Sequence, residues 1–396
     1  MEQKKSKPLS SLIFIPLLSF VFIRPFFSGM AYPAFEFYYE ICLILLGITA
    51  LCLSVRHLKV LAKNIHIIIP IVILLISYII STILSINIQN SIKELLKFIS
   101  YLSVFFMISM AGGEQKKLLI KTIILSALII SIYAVYQYFF GYPQTIDYIN
   151  KINSDALLSS PYARDILLNK RAIGTFPSPN IFACYLIVVI FLVYYAINRS
   201  IAIFQVVIIA VAIILTKSFG AWLSLSSALI ALVLFFYKDI KKYKLMIAIC
   251  FIAIAAGAAF IVLSKWNRLM NPGNPHNPVM QRLNYWRIAI AAIKDHPISG
   301  IGPGNFQEVF LKYKAGWSID TRYVHNIFLQ TWLETGIFGL ISICLLITAF
   351  LNKSFTKSRY IFLAGLALIF QNLIDMPYFA PEVGLFLWIL IGLAAF

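Results

Sequence analysis

Apolar runs of about 17–25 residues, long enough to cross a ~30 Å hydrocarbon layer as helix, recur from one end of this chain to the other. They fall at 9–23, 36–55, 64–87, 92–112, 117–140, 179–197, 200–216, 218–237, 245–264, 326–350, 359–375 and 380–396. Few folds are open to such a chain, because in lipid every backbone N–H and C=O must find its partner within the protein. Continuous apolar runs meet that demand as helices, whereas a β-barrel would show short alternating segments. The composition agrees: 61% of the residues are hydrophobic, against about half in a soluble domain. The expected fold is all-α, a polytopic integral membrane protein with about twelve transmembrane helices, forming a single membrane domain over 1–396.

The charge pattern orients these spans. The net charge is +18, from 33 Lys+Arg and 15 Asp+Glu. Cations cluster at Lys4/Lys5/Lys7, Arg56/Lys59/Lys63, Lys116/Lys117/Lys121, Arg199, Lys238/Lys241/Lys242/Lys244 and Lys353/Lys357/Arg359, in every second loop. Basic loops are retained in the cytoplasm, so both termini are expected inside. That distribution explains the charge without nucleic acid as a partner. The loops 141–178 and 265–325 then face outward, yet they also carry cations, including Lys151, Arg164, Lys170, Arg171, Arg282, Arg287 and Arg322. Outer-face arginines that run against the topological bias point to an anionic ligand. Cys42, Cys52, Cys184, Cys250 and Cys344 all fall in expected spans, without zinc or disulfide spacing. The lysine-led N-terminus lacks a small-x-small cleavage site and reads as an uncleaved first span.

The second outer loop holds a polar, glycine-bearing island. It reads R-L-N-Y-W-R (282–287), H-P-I-S-G-I-G-P-G-N-F (296–306) and V-H-N-I-F-L-Q-T-W-L-E-T-G (324–336). Met280–Lys294 has an amphipathic helical pattern, with Leu283, Trp286, Ile290 and Ile293 on one face and Tyr285–Trp286 as a headgroup-level anchor. Arg282 and Arg171 suit bidentate bonds to phosphate, or snorkelling to lipid headgroups. Lys217, in the brief turn 216–220, has the same two readings. Gly300, Gly302 and Gly304 either bring backbone amides to an anion or ease a tight turn beside Pro297 and Pro303. His325, just outside a span, is either a proton acceptor or a solvated side chain. Asn326, Gln330 and Glu334 share one stripe of a helix; Glu334 and Asp375 read as packing groups, and Glu94–Lys97 as an i, i+3 ion pair. Carboxylates in the outer loops are scattered, so chemistry on a pyrophosphate here would rest on arginines, with neither metal nor cofactor.

Three motifs carry a family resemblance: R-x-x-Y-W-x-x-A (282–289), H-P-x-x-G-x-G-x-G-x-F (296–306) and H-N-x-F-L-Q-x-x-x-E-T-G (325–336). Together with R-A-I-G-T-F-P-S-P-N-x-F-A-x-Y-L (171–186) and S-F-G-A-W-L (218–223), they resemble the O-antigen ligase/polymerase superfamily. The resemblance implies a GT-C-like, metal-independent, inverting glycosyltransferase of the bacterial inner membrane. It implies an undecaprenyl-pyrophosphate-linked glycan as donor on the periplasmic face. The acceptor would be lipid A-core (a ligase) or a further repeat unit (a polymerase), with membrane lipids around the protein. Arginines hold the pyrophosphate in this family and a histidine activates the acceptor, which assigns catalytic roles to Arg282 and His325. Arg171, Lys217, Tyr285, Trp286, Gly300, Gly302, Gly304 and Asn326 are the expected substrate-binding residues. One departure stands out: the turn that usually reads S-R-G-A has Phe219 in place of the arginine. A transporter of lipid-linked glycans is the alternative of a different class, and the sequence lacks its paired discontinuous helices.

Overall fold

Helix is the form of every regular element in the computed structural model, which describes residues 9–53, 64–152, 160–196, 199–236, 277–314 and 319–395, with isolated positions between 248 and 271. The principal helices are α1 (Ser11–Ile23), α2 (Pro33–Leu53), α3 (Ile65–Ile83), α4 (Ile88–Met110), α5 (Gly113–Tyr136), α6 (Tyr142–Lys151), α7 (Pro179–Ala196), α8 (Arg199–Thr216), α9 (Phe219–Phe236), α10 (Pro278–Asp295), α11 (Phe306–Tyr313), α12 (Ile327–Lys357), α13 (Arg359–Gln371) and α14 (Pro381–Ala395). A helix occupies each expected span except 245–264, which lies outside the described residues. So do Lys4, Lys5 and Lys7 and the basic groups at 56–63 and 238–244. Among the described residues, four helical stretches are long and apolar enough to cross a membrane: α2, α3, Gly113–Lys151 and α12. The helices α1, α7, α8, α9, α13 and α14 are apolar but shorter. The chain is an α-helical integral membrane protein.

Burial separates the centre of the bundle from its lipid face. A helix that is apolar all round belongs in the interior, and α14 is buried over its whole length. It packs on α4, and α7 packs on α13, α8 and α5; the Tyr185 and Phe386 rings of α7 and α14 meet edge-to-face at 5.0 Å. The outer helices instead expose large side chains such as Leu12, Ile83 and Phe204, a surface that suits hydrocarbon.

The longest helix is broken. Gly336 in α12 has φ 73 and ψ −175, a backbone that strongly favours glycine. Such a break frees backbone groups in the bilayer, and a segment of the outer loop satisfies them. Ile337 N–H donates to the Pro297 carbonyl (3.0 Å), Ile301 N–H to Leu333 (2.9 Å) and Gly302 N–H to Glu334 (3.1 Å). The Ser81 hydroxyl of α3, the helix packed along α12, donates to the same Glu334 carbonyl. Residues 297–304 thus form a wedge seated in the break.

Several expectations need correction. The span written 359–375 ends as helix at Gln371, so Asp375 sits in a loop. The loop 141–178 contains α6 and a helical segment over 161–168, and the loop 265–325 contains α11 besides α10. The buried stripe of α10 is Tyr285, Ile288, Ala289, Ala292 and Ile293, whereas Leu283 and Ile290 are exposed. The small alanines let α10 approach α12 closely, and that contact, rather than the bulkiest residues, selects the buried face.

Candidate active site

Loops joining the helices converge at one end of the bundle, and cap residues fix their ends. Asn277 caps α10, its Oδ1 accepting from the Val279 amide at 3.0 Å. Asn326 caps α12 in the same way, accepting from Phe328 (3.0 Å) and Leu329 (3.1 Å). Its Nδ2 also donates to the Leu373 carbonyl at 3.0 Å, which ties the start of α12 to the loop after α13. Satisfied end groups of this kind hold a helix terminus rigidly.

That loop carries the residue around which the site is built. The Asp375 carboxylate receives His325 Nδ1 on Oδ1 at 3.1 Å, and on Oδ2 the Arg282 Nη2 at 3.6 Å and the Asn180 amide at 2.8 Å. Asn180 in turn accepts from Arg171 Nη2 at 2.9 Å. Side chains from the start of α7, from α10, from the entry to α12 and from the 372–376 loop therefore share one polar cluster. Burial by itself would raise the Asp375 carboxyl. The hydrogen bond from His325 and the Arg282 charge, with the Met376 amide, outweigh it and hold the group at about 2. Asp375 is thus a fixed anion at any working pH. A carboxylate only accepts, so the proton between them resides on His325 Nδ1. In the neutral ring, Nε2 is then the free acceptor. Tyr285 stacks on the imidazole, with centroids 5.5 Å apart and planes at 21°.

Both arginines are partly engaged by the protein. Arg171 is buried, with Nε on the Thr216 carbonyl (3.0 Å) and Nη1 on Asp165 (2.7 Å). Arg282 is more open, bonding the carbonyls of Ile374 and of Pro278. With five N–H groups on a guanidinium, each retains donors beyond its three protein contacts. Lys217 donates to the Asn169 carbonyl at 2.8 Å. Its amine is held below the ordinary lysine value by partial burial and by the nearby charges of Arg171 and Lys170, so a cationic patch stands beside the cluster. Among the described residues, the non-glycine positions with left-handed backbone are Lys170 (φ 45), Lys217 (φ 52) and His325 (φ 61). Such conformations are costly and gather at functional sites.

The remaining expected residues divide. Trp286 is half-buried, and its buried indole N–H has no hydrogen-bond partner among the described residues. Phe219 is exposed at the start of α9. Gly300, Gly302 and Gly304 do not present free amides. They donate to the His296 carbonyl, the Glu334 carbonyl and Glu334 Oε1, which corrects their reading as an anion cradle. Their left-handed φ values of 71, 93 and 76 shape the wedge in α12. Glu334 also takes the Gln330 amide at 2.6 Å and is a packing group. Asp375 and Asn180 were not legible as site residues. Asp375 follows a hydrophobic run, where packing is the simpler reading, and Asn180 is one letter of a motif whose arginine draws the attention.

With that geometry in place, comparison with known proteins is informative. The O-antigen ligase family model matches residues 204–344. Over that stretch the chain is similar to the O-antigen ligase family. The match takes in Lys217, Arg282, Tyr285, Trp286, His325 and Asn326. Arg171, Asn180 and Asp375 fall outside it, and only the fold joins them to the rest. A relative described as an uncharacterized protein of Haemophilus influenzae is 26% identical over 146 residues, covering 32% of this chain and 36% of the relative. The match thus spans about a third of each protein.

Proposed function

We propose that the protein transfers a glycan from undecaprenyl pyrophosphate to an acceptor hydroxyl on the extracytoplasmic face, as an O-antigen ligase-type inverting glycosyltransferase. The observation that carries this reading is the single carboxylate, Asp375, that joins His325, Arg282 and, through Asn180, Arg171. The acceptor hydroxyl gives its proton to His325 Nε2 while its oxygen attacks the anomeric carbon. The bond from that carbon to the phosphate oxygen breaks, and its electron pair leaves with undecaprenyl pyrophosphate. Asp375 keeps the imidazole in the needed tautomer and stabilises the imidazolium that forms. Arg282, Lys217 and the remaining donors of Arg171 stabilise the leaving charge, usually the largest contribution in such a site. Tyr285, stacked on His325, and its neighbour Trp286 contact the substrate in this reading. Exposed Phe219 adds no charge, so here Lys217 supplies the cation of that turn. We place the whole chain in one membrane domain of about twelve spans, with both termini cytoplasmic.

The same chemistry serves a polymerase, in which the acceptor is another lipid-linked repeat. Deleting the gene separates the two: long unattached glycan chains accumulate if it is a ligase, single repeats if it is a polymerase. Reconstitution tests the reaction class itself. Purified protein in liposomes, given lipid-linked glycan and acceptor, is expected to form a glycosidic product and release undecaprenyl pyrophosphate. Movement of labelled lipid across the bilayer with no new bond would replace this reading with a transporter.

A further inference from the structure

A cavity of about 330 Å³ opens beside Arg171, between the end of α5, the turn into α6 and the segment 161–168. Its walls include Tyr133, Tyr136, Tyr142 and Tyr162, with Gln137 and Thr145 among them. Two features separate it from an ordinary belt of interfacial aromatics. The first is its backbone: Gln137–Gly141 and Arg164–Leu168 are both π-helical turns, and each contributes residues to this cavity. Such turns are rare and concentrate at functional sites. The second is its shared wall. The Tyr142 hydroxyl donates to the Arg171 carbonyl at 2.8 Å, the Arg171 N–H bonds Ile166 at 3.0 Å, and Gln137 bonds both backbone groups of Gly174. From the strip 171–174, Ile173 lines the cavity, while the guanidinium of Arg171 joins the Asn180–Asp375 chain.

We propose that this cavity is a sugar subsite, holding a ring of the donor glycan while its pyrophosphate lies against the cations at Arg171 and Lys217. This rests on the transferase reading given above. The chemistry of the walls selects the occupant. The tyrosine rings offer apolar faces for the C–H side of a sugar ring, and Tyr133 and Tyr136 add hydroxyls for its polar rim, whereas the Tyr142 and Tyr162 hydroxyls bond the Arg171 and Pro177 carbonyls. The volume falls at the small end of the ligand-pocket range of about 300–1,000 Å³. A prenyl tail needs a long aliphatic groove open to the bilayer, whereas this cavity is short, rich in tyrosine and bounded by helix 161–168. The cations beside it complement a pyrophosphate directly attached to the sugar.

The test compares two probes on the full-length protein in lipid nanodiscs: undecaprenyl pyrophosphate bearing one N-acetylhexosamine, and bare undecaprenyl pyrophosphate. Tyr136→Ala and Tyr162→Ala, checked for unchanged thermal stability, are expected to weaken the sugar-bearing probe about tenfold, the size of one lost aromatic contact. Binding of the bare probe should not change, and Tyr136→Trp should restore most of the sugar-bearing probe's affinity. Equal losses for both probes would overturn the assignment, because the cavity would then hold the chain or the pyrophosphate. Unchanged affinity for both would overturn it too. A wild-type protein that binds neither probe defeats the transferase reading itself, and the subsite falls with it.

Discussion

Two arginine–carboxylate clusters occupy the same end of this bundle, and they differ in kind. In one, Arg24 meets Glu36 at 2.6 Å and Glu382 at 3.8 Å, with side-chain exposures of 1%, 12% and 1%. Glu382 also accepts the Gly29 amide at 2.7 Å, so the turn after α1 is pinned to α14. In the other, Arg282, His325 and Asp375 are 26%, 20% and 7% exposed. The first cluster is sealed almost throughout and contains no histidine. The second keeps its anion buried and leaves its cation and imidazole reachable. An ion cluster in a membrane protein is therefore not by itself a site; graded exposure, a free imidazole acceptor and left-handed backbone distinguish the cluster we propose as one.

His325 offers the most direct challenge to that contrast. Replacing it with Ala removes the proposed proton acceptor and should slow transfer by about 10²–10⁴-fold, with the protein still inserted. A loss below about tenfold would reduce His325 to a positioning role. Arg24→Ala should do the reverse. Stranding buried carboxylates costs on the order of 3–5 kcal/mol, so melting temperature and membrane yield should drop while turnover per folded molecule holds. Equal turnover losses in both variants would erase the distinction. Arg282→Ala is expected to cost about 10²–10³-fold in kcat, read from product formation at saturating donor.

Two smaller effects concern pH. Asp375 has a depressed folded pKa, so its stabilising contribution is present above the ordinary carboxylate value of about 3.9 and is lost as pH falls toward about 2. Asp375→Asn should remove that acid dependence from thermal unfolding curves. Lys217 titrates below an ordinary lysine, so its share of donor affinity should decline as pH rises, earlier than for an unperturbed amine. Lys217→Met should flatten that decline and weaken binding only a few-fold, the effect of a solvent-screened, half-buried cation. A slope unchanged in the variant would remove Lys217 from the donor site.

The helices were legible because span length is a property of consecutive residues. A helix that is apolar on every side, such as α14, needs no face to be chosen. An amphipathic one does: α10 shows an apolar pattern on more than one side, and only contact with α12 decides that Ala289 and Ala292 face inward. The same limit applies to the site. Arg282 and His325 stand out as polar letters in a motif, whereas Asp375 gains its meaning from Asn180, 195 positions away in sequence. The glycines at 300, 302 and 304 were visible as a pattern, but their amides are claimed by a helix break at Gly336 that no local pattern announces.

That break has a mechanical consequence for α10. Helix α10 is fastened near its start, where Arg282 bonds Ile374, and just past its end, where Pro297 and Ile301 bond α12. A beam anchored at both ends is a lintel, not a flap. Lifting it would unpair the backbone bonds at Pro297 and Ile301, so α10 is a fixed frame beside the proposed site.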